Sequence, residues 1–237
     1  MKTIADIKIK RSPNSFRVDF TPSKDMEGWF RKTNVSFEYP IDISLISDAV
    51  LLVPFVANVA PVVWLTDARL NVPSLDRDFA ECLAEVKAGY QKMYPEAPFK
   101  GEICVEKIVD CAVTESRKCA MFYSGGLDSV DTFVRHHAET PDLISVWGSD
   151  IKYDNAEGWK RVHSAVEYSA NRFHLEDYQI RSEFREFLDE RALGREFSPV
   201  LHDSWWHGIQ HGLGLLGHVA PLSPTFSAVL VSFGSFS

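Results

Sequence analysis

The feature that most restricts what this chain can fold into is a change of rhythm at about residue 116. Before it, apolar and polar residues alternate. Ile7 and Ile9 stand among lysines; Phe16, Val18 and Phe20 follow the turn Ser12-Pro13-Asn14; Val35, Phe37 and Tyr39 repeat the pattern. A period of two with turn residues between runs predicts antiparallel sheet with one wet face. After residue 116, the runs 119 to 123 and 143 to 148 are apolar without alternation, as expected of strands buried on both faces. Helical patterns separate them. One runs from Leu127 to Ala138, and the next is capped by Asn155, with Trp159, Val162, Val166 and Ala170 on one side. Residues 178 to 181 and 228 to 233 read as third and fourth strands, with a helix at 205 to 216 before the fourth. Alternating strands and helices predict an α/β fold with a parallel, layered sheet.

Two segments follow from this. Residues 1–115 are expected to form a smaller α+β, β-rich N-terminal domain, and residues 116–237 an α/β domain. The first holds one long helix, which Ser74 is expected to cap. Its apolar face is Leu75, Phe79, Leu83, Val86, Tyr90 and Met93, and Pro95 stops it. Residues 103 to 109 read as a strand leading to the second half. The apolar run from Ala49 to Leu65 carries Pro54, Asn58 and Pro61. These breakers predict a short buried helix, a turn and a strand at 62 to 65 rather than a membrane span.

The formal net charge is −8. That disfavours a broad nucleic-acid-binding face, since the phosphate backbone rewards positive charge. Four cysteines, none in C-x-x-C, argue against a disulfide scaffold or a zinc ribbon and fit a reducing compartment. The N-terminal residues lack the apolar core of a secretory signal, so a cytoplasmic location is expected.

The chemistry is concentrated in Ser124-Gly125-Gly126-Leu127-Asp128-Ser129, between the first buried strand and its helix. A glycine pair lets backbone approach a ligand closely. The turn opens onto a helix N-terminus, where unpaired N–H groups and the dipole favour an anion. The two serines add hydroxyls. Asp128 repels a phosphate unless a divalent cation bridges them, and magnesium suits carboxylate plus phosphate oxygens. The competing reading is a Gly-Gly turn with Ser124 or Asp128 as an ordinary helix cap. The segment lacks the Gly-Lys-Ser/Thr of a Walker A loop and the third glycine of a dinucleotide fingerprint.

The hexapeptide resembles the pyrophosphate loop (PP-loop) of the ATP pyrophosphatase superfamily, a resemblance that covers residues 116 to 237. It implies a doubly wound, Rossmann-like sheet of the adenine nucleotide alpha hydrolase-like kind, with strand order 3-2-1-4-5 and ATP at the switch point. Carried over by position, Ser124, Gly125, Gly126, Leu127 and Ser129 form the phosphate cradle, and Asp128 holds Mg2+. The implied activity is an ATP-dependent, AMP-forming, pyrophosphate-releasing ligase or synthetase that adenylates a small molecule. The alternatives are a non-catalytic ATP-binding module or an inactive fragment. No catalytic residue is assigned.

Gly148 and Asp150, at the end of the second strand, lie on the same rim, as do Gly234 and Ser235 after the fourth. All four join the candidate nucleotide contacts beside the reading as ordinary turns. The sequence stops after the fourth strand, which reads as a truncated version of a longer family protein. It lacks the N-terminal cysteine nucleophile and the zinc-binding cysteine cluster of some members, and its layout looks like a group of uncharacterised bacterial ones.

Two further groups are weighed. His207 and His211 are four apart on a helix, but no Glu accompanies them, so a helix lining the cleft is expected rather than a metal site. The glycines around them point to close packing or substrate approach. Arg181 and Arg185 follow the third strand and are expected to be solvated or salt-bridged more than to meet an anionic substrate.

Overall fold

The computed structural model describes residues 2–111 and 118–232. Its strands form one large sheet in which most neighbouring pairs are parallel. The N-terminal hairpin is β1 (Thr3–Ser12) and β2 (Ser15–Pro22), with Ser12 opposite Ser15 across the expected turn. β3 (Asn34–Glu38) pairs antiparallel with β2. In β2 and β3 the buried residues are those that alternation predicts; in β1 a register shift between Ala5 and Lys8, with Asp6 at φ 53, interrupts the period, so that Ile4 and Ile7 are buried and Ile9 is half-buried.

The next segment departs from expectation. α1 (Asp48–Leu51) leads into α2 (Val53–Thr66), so residues 62 to 65 are helical and not a strand. Every residue of α2 is buried. A helix apolar on all sides lies inside the core, where packing holds Pro61 in the helix against its preference to break it. β4 (Arg69–Val72) follows, then the short β5 (Leu75–Asp76) and α3 (Arg77–Met93). The cap of α3 is Asp76, whose carboxylate accepts from Phe79 N at 3.2 Å, and not Ser74. The single strand expected over 103 to 109 is two, β6 (Glu102–Val105) in the large sheet and β7 (Ile108–Val109) paired with β5.

The second half holds β8 (Cys119–Phe122), α4 (Leu127–His136), β9 (Asp142–Trp147), α5 (Ala156–Phe173), β10 (Asp177–Ser182), α6 (Glu190–Leu201), α7 (His211–Gly217) and β11 (Ala228–Leu230). A π-helical turn, Trp206–Gln210, precedes α7. α6 was not expected, although Leu193, Phe197 and Leu201 step by four along its buried face and Asp189 caps it.

The strand order is β11-β8-β9-β10-β3-β2-β1-β4-β6. Its first four strands are mutually parallel, with β8 and β9 inside β11 and β10. Arg181 and Ser182 of β10 then pair antiparallel with Glu38 and Phe37 of β3. The boundary expected near residue 115 falls outside the described residues. The strands on either side of it share this one sheet, and one buried cluster draws on both segments. Among the described residues, no helix is long and apolar enough to cross a membrane.

α2 and α7 cross at small residues. A Cβ on Gly217 would lie 2.6 Å from Ala57 Cβ, and one on Gly214 would lie 2.6 Å from Asn58 Oδ1. The glycines of the 206–217 segment thus answer in part to close packing against the buried helix.

Candidate functional site

β8 runs between β11 and β9, and its ladder extends one residue further, with Tyr123 N donating to Ile144 O at 2.8 Å. The chain then leaves the sheet. Gly125 takes φ +75, which a residue with a Cβ adopts only under strain. Gly126 is the N-cap of α4 and offers no side chain to the first-turn amides. Residues 124–128 are exposed, and Leu127 is 85% exposed despite its apolar side chain. The two serines differ. Ser124 Oγ accepts from Gly126 N at 3.3 Å, whereas Ser129 is buried and donates to Gly126 O at 2.9 Å. Ser129 thus braces the turn from below.

The loop forms one wall of a cavity of about 330 Å³. Ser124, Gly126 and Ser129 line it on one side, Ser149, Asp150 and Ile151 after β9 on another, and Trp159 and Val162 of α5 at its base. His211, Gly212 and Leu215 of α7 face it, and Val231 and Ser232 close it after β11. It sits beyond the carboxyl ends of β8, β9 and β11, where the direction of winding reverses. Open parallel sheets place ligands there.

Of the expected contacts, Gly125, Leu127 and Asp128 belong to the loop but not to the cavity wall, and Asp150 is on the wall. Gly148 is buried away from it and has its own structural reason, since at φ +111 a Cβ would lie 1.9 Å from Ser182 O. Gly234 and Ser235 lie outside the described residues. The cleft-lining role expected for the 205–216 helix is met by His211 and Gly212. Gly208, in contrast, packs where a Cβ would come 3.0 Å from the Tyr94 hydroxyl. The hydroxyls of Tyr94 and Tyr90 donate to Gly208 O and Ile209 O, each at 2.8 Å, and so satisfy carbonyls within the π turn. Among the described residues no group of three His, Cys, Asp or Glu is placed to hold a metal.

Sequence reading missed the contribution of Trp159. It stands in the first turns of α5, stacked on Trp147 at 5.6 Å with the rings 3° from parallel, and on His163 at 5.8 Å. Its Nε1–H is buried with no hydrogen-bond partner. Buried donors are nearly always paired, and this unpaired one belongs to a residue of the cavity wall. The signal was present in the Asn155 cap, confirmed by Asn155 Oδ1 accepting from Gly158 N at 2.9 Å, which sets the first turn of α5 on this rim. Behind Trp159, His163 Nε2 lies 2.7 Å from Asp177 Oδ2. Burial raises the Asp177 pKa, with His163 pulling it the other way.

The arginines are structural, as expected. Arg181 lies between the Trp147 and Tyr153 rings, 4.4 and 4.2 Å from their centroids, and pairs with Glu38 at 3.4 Å. Arg185 makes two 2.7 Å hydrogen bonds to Glu190 and donates to Ser149 O at 3.0 Å. Its guanidinium covers the face of Trp206 at 3.8 Å, and Trp206 meets the His211 ring edge-on at 4.9 Å.

Comparison with protein-family models, with curated proteins and with solved structures finds no match for this chain. Fold and site geometry therefore carry the functional argument alone. The class they define is an α/β protein with a ligand-sized cavity at a strand-to-helix loop.

Proposed function

We propose that the cavity binds Mg-ATP with its phosphates on residues 124–129, and that the chain is an AMP-forming, pyrophosphate-releasing synthetase of the PP-loop type acting on a small molecule. The observation that carries this reading is the uncapped N-terminus of α4, which opens beside the cavity at the switch point of the sheet. Residues of this chain fit both groups. The N-cap residue of α4, Gly126, gives the first-turn amides no side-chain acceptor, Gly126 N itself being bonded to Ser124 Oγ, and the Trp159 ring lies on the cavity wall. Asp128 is an exposed carboxylate outside any ion pair among the described residues, and one carboxylate with phosphate oxygens is a usual magnesium set. Bound magnesium would offset the charge of the phosphates. The chain itself supplies positioning: Gly125 and Gly126 bring backbone close, and Ser129 holds the turn.

Two measurements test this. Calorimetric titration with Mg-ATP is expected to show binding that Asp128→Ala weakens by about tenfold or more, the scale of a lost charge-assisted contact. An affinity equal to that of the wild type removes Asp128 from the site. Incubation with Mg-ATP and candidate acceptors is expected to yield AMP and pyrophosphate. Binding without either product makes the chain a nucleotide-binding module instead.

Trp159→Phe separates ligand recognition from folding. It removes a buried donor that has no partner among the described residues, which offsets the packing lost where Trp159 stacks on Trp147, so stability is expected within about 1 kcal/mol of the wild type. Affinity for Mg-ATP is expected to fall about tenfold. An unchanged affinity removes Trp159 from the site.

A further inference from the structure

The wall of the cavity is unusual in its charge. Among its lining residues there is no Lys or Arg, and Asp150 is the one carboxylate. The other lining residues with polar side-chain groups are the serines, Tyr123, Trp159 and His211. The triphosphate would bring its own countercharge as bound magnesium, whereas a second substrate bearing a carboxylate or phosphate would find no Lys or Arg on the described wall, and Asp150 would repel it. Lys152, which follows the rim residue Ile151, is exposed and not part of the lining, and Arg185 is committed to Glu190, Ser149 O and the Trp206 face.

His211 has a different character. It is exposed at the mouth of the cavity, and neither ring nitrogen has a hydrogen-bond partner among the described residues. Its orientation is nevertheless fixed. The Glu190–Arg185 pair holds the guanidinium, the guanidinium holds the Trp206 ring, and Trp206 meets the imidazole. The π turn just before it shifts the helical register, a device common at functional positions. The titratable and charged groups facing it are Asp150 from the β9 rim, Arg185 from the segment after β10, and His207 one turn back on its own element. Partial burial lowers its pKa, Asp150 opposes that, and His207 and Arg185 add to it. The free base therefore predominates near neutrality.

We propose that His211 takes the proton of the second substrate in this cavity, and that this substrate is an uncharged amide or alcohol rather than a carboxylate or phosphate. The inference rests on the nucleotide reading above. In the step, the substrate oxygen forms a bond to the α-phosphorus of ATP. The bond from that phosphorus to the bridging oxygen breaks, and its electron pair leaves with pyrophosphate. The proton lost by the substrate goes to the His211 imidazole, from the hydroxyl of an alcohol or from the N–H of an amide attacking through its carbonyl oxygen. A carboxylate would have no such proton to give.

The test compares wild type with His211→Gln. Calorimetry with Mg-ATP should give equal Kd for both. Absence of binding in the wild type overturns the nucleotide reading itself, and binding lost only in the variant overturns the proton role. Pyrophosphate release is then followed with acetamide and glycerol as neutral probes and acetate as the anionic one. The wild type should release pyrophosphate with a neutral probe, at a rate that rises with pH through an imidazole pKa measured independently by NMR of the labelled histidine ring. With a non-hydrolysable ATP analogue bound, the same probe should shift that ring signal. In His211→Gln the rate should fall at least about 100-fold, the low end for general base catalysis, and the acidic limb should vanish. A preference for acetate, an unchanged limb in the variant, or no pyrophosphate from any probe each overturns the proposal.

Discussion

Gly148→Ala is expected to cost about 2–5 kcal/mol, combining overpacking against rigid backbone with a strained left-handed conformation. In a protein of this size that lowers the melting temperature on the order of 10 °C. The cause lies at the join of the two parts of the sheet. Gly148 follows β9 at φ +111, and an added Cβ would meet Ser182 O at 1.9 Å and Ser182 C at 3.0 Å. Those are backbone atoms of β10, which is paired on both sides, to β9 and to β3. No side chain is there to swing away. Gly126→Ala is the matched control. Gly126 has φ −75, and its nearest neighbour is the Ser124 hydroxyl at 3.3 Å from the added Cβ. Its stability is expected within about 1 kcal/mol of wild type, so that any loss of nucleotide affinity in it reports the loop and not the fold. Urea denaturation of both variants decides. Equal destabilisation would show that the close approach at Gly148 relaxes at little cost.

Acidification is expected to remove about 3 kcal/mol between pH 6.5 and about 4, through His218. This histidine is fully buried between Phe37 and Phe184, with ring centroids 5.5 and 4.6 Å away. Nδ1–H donates to Gly214 O at 2.7 Å, and Nε2 accepts from the Ser182 hydroxyl at 2.8 Å, which fixes one neutral tautomer. Burial lowers its pKa to about 4. The unfolded chain takes up this proton near 6.5 and the folded one does not, so the stability present above 6.5 is lost as pH falls through the folded value. Asp177, with its raised pKa, works in the opposite sense at lower pH, because there the folded form binds the proton more readily. His218→Gln is expected to be less stable at pH 7 but flatter across this window. A wild-type profile flat from pH 7 to 4.5 would contradict the buried neutral assignment.

The same histidine shows how far a sequence can be read. Nothing in the spacing of His218 distinguishes it from His211, yet one is sealed in the core and the other faces a cavity. The network around it joins residues far apart in sequence. Asn58 Oδ1 accepts from Gln210 Nε2 at 3.0 Å, Gln210 also donates to Phe184 O at 3.1 Å, and the Tyr39 hydroxyl donates to His218 O at 3.0 Å. Asn58 looked like a helix breaker in an apolar run. In the fold it is the polar anchor of a buried helix, because Gln210 and Gly214 O meet its amide there.

Local pattern was sufficient for the three N-terminal strands, the strand–loop–helix around residues 124–129, the Asn155 cap and the succession of parallel strands in the second half. Each is written in residues adjacent along the chain, as a period, a cap or a turn. Tertiary structure alone decided that residues 62 to 65 stay helical, since burial on every side outweighs Pro61, while Pro54 sits harmlessly in the first turn. It alone decided that β3 joins β10, which makes one sheet of two differently patterned halves. It also set Trp159, Asp150 and His211 around one cavity, three residues on separate elements whose proximity depends on how those elements pack and on no spacing in the sequence.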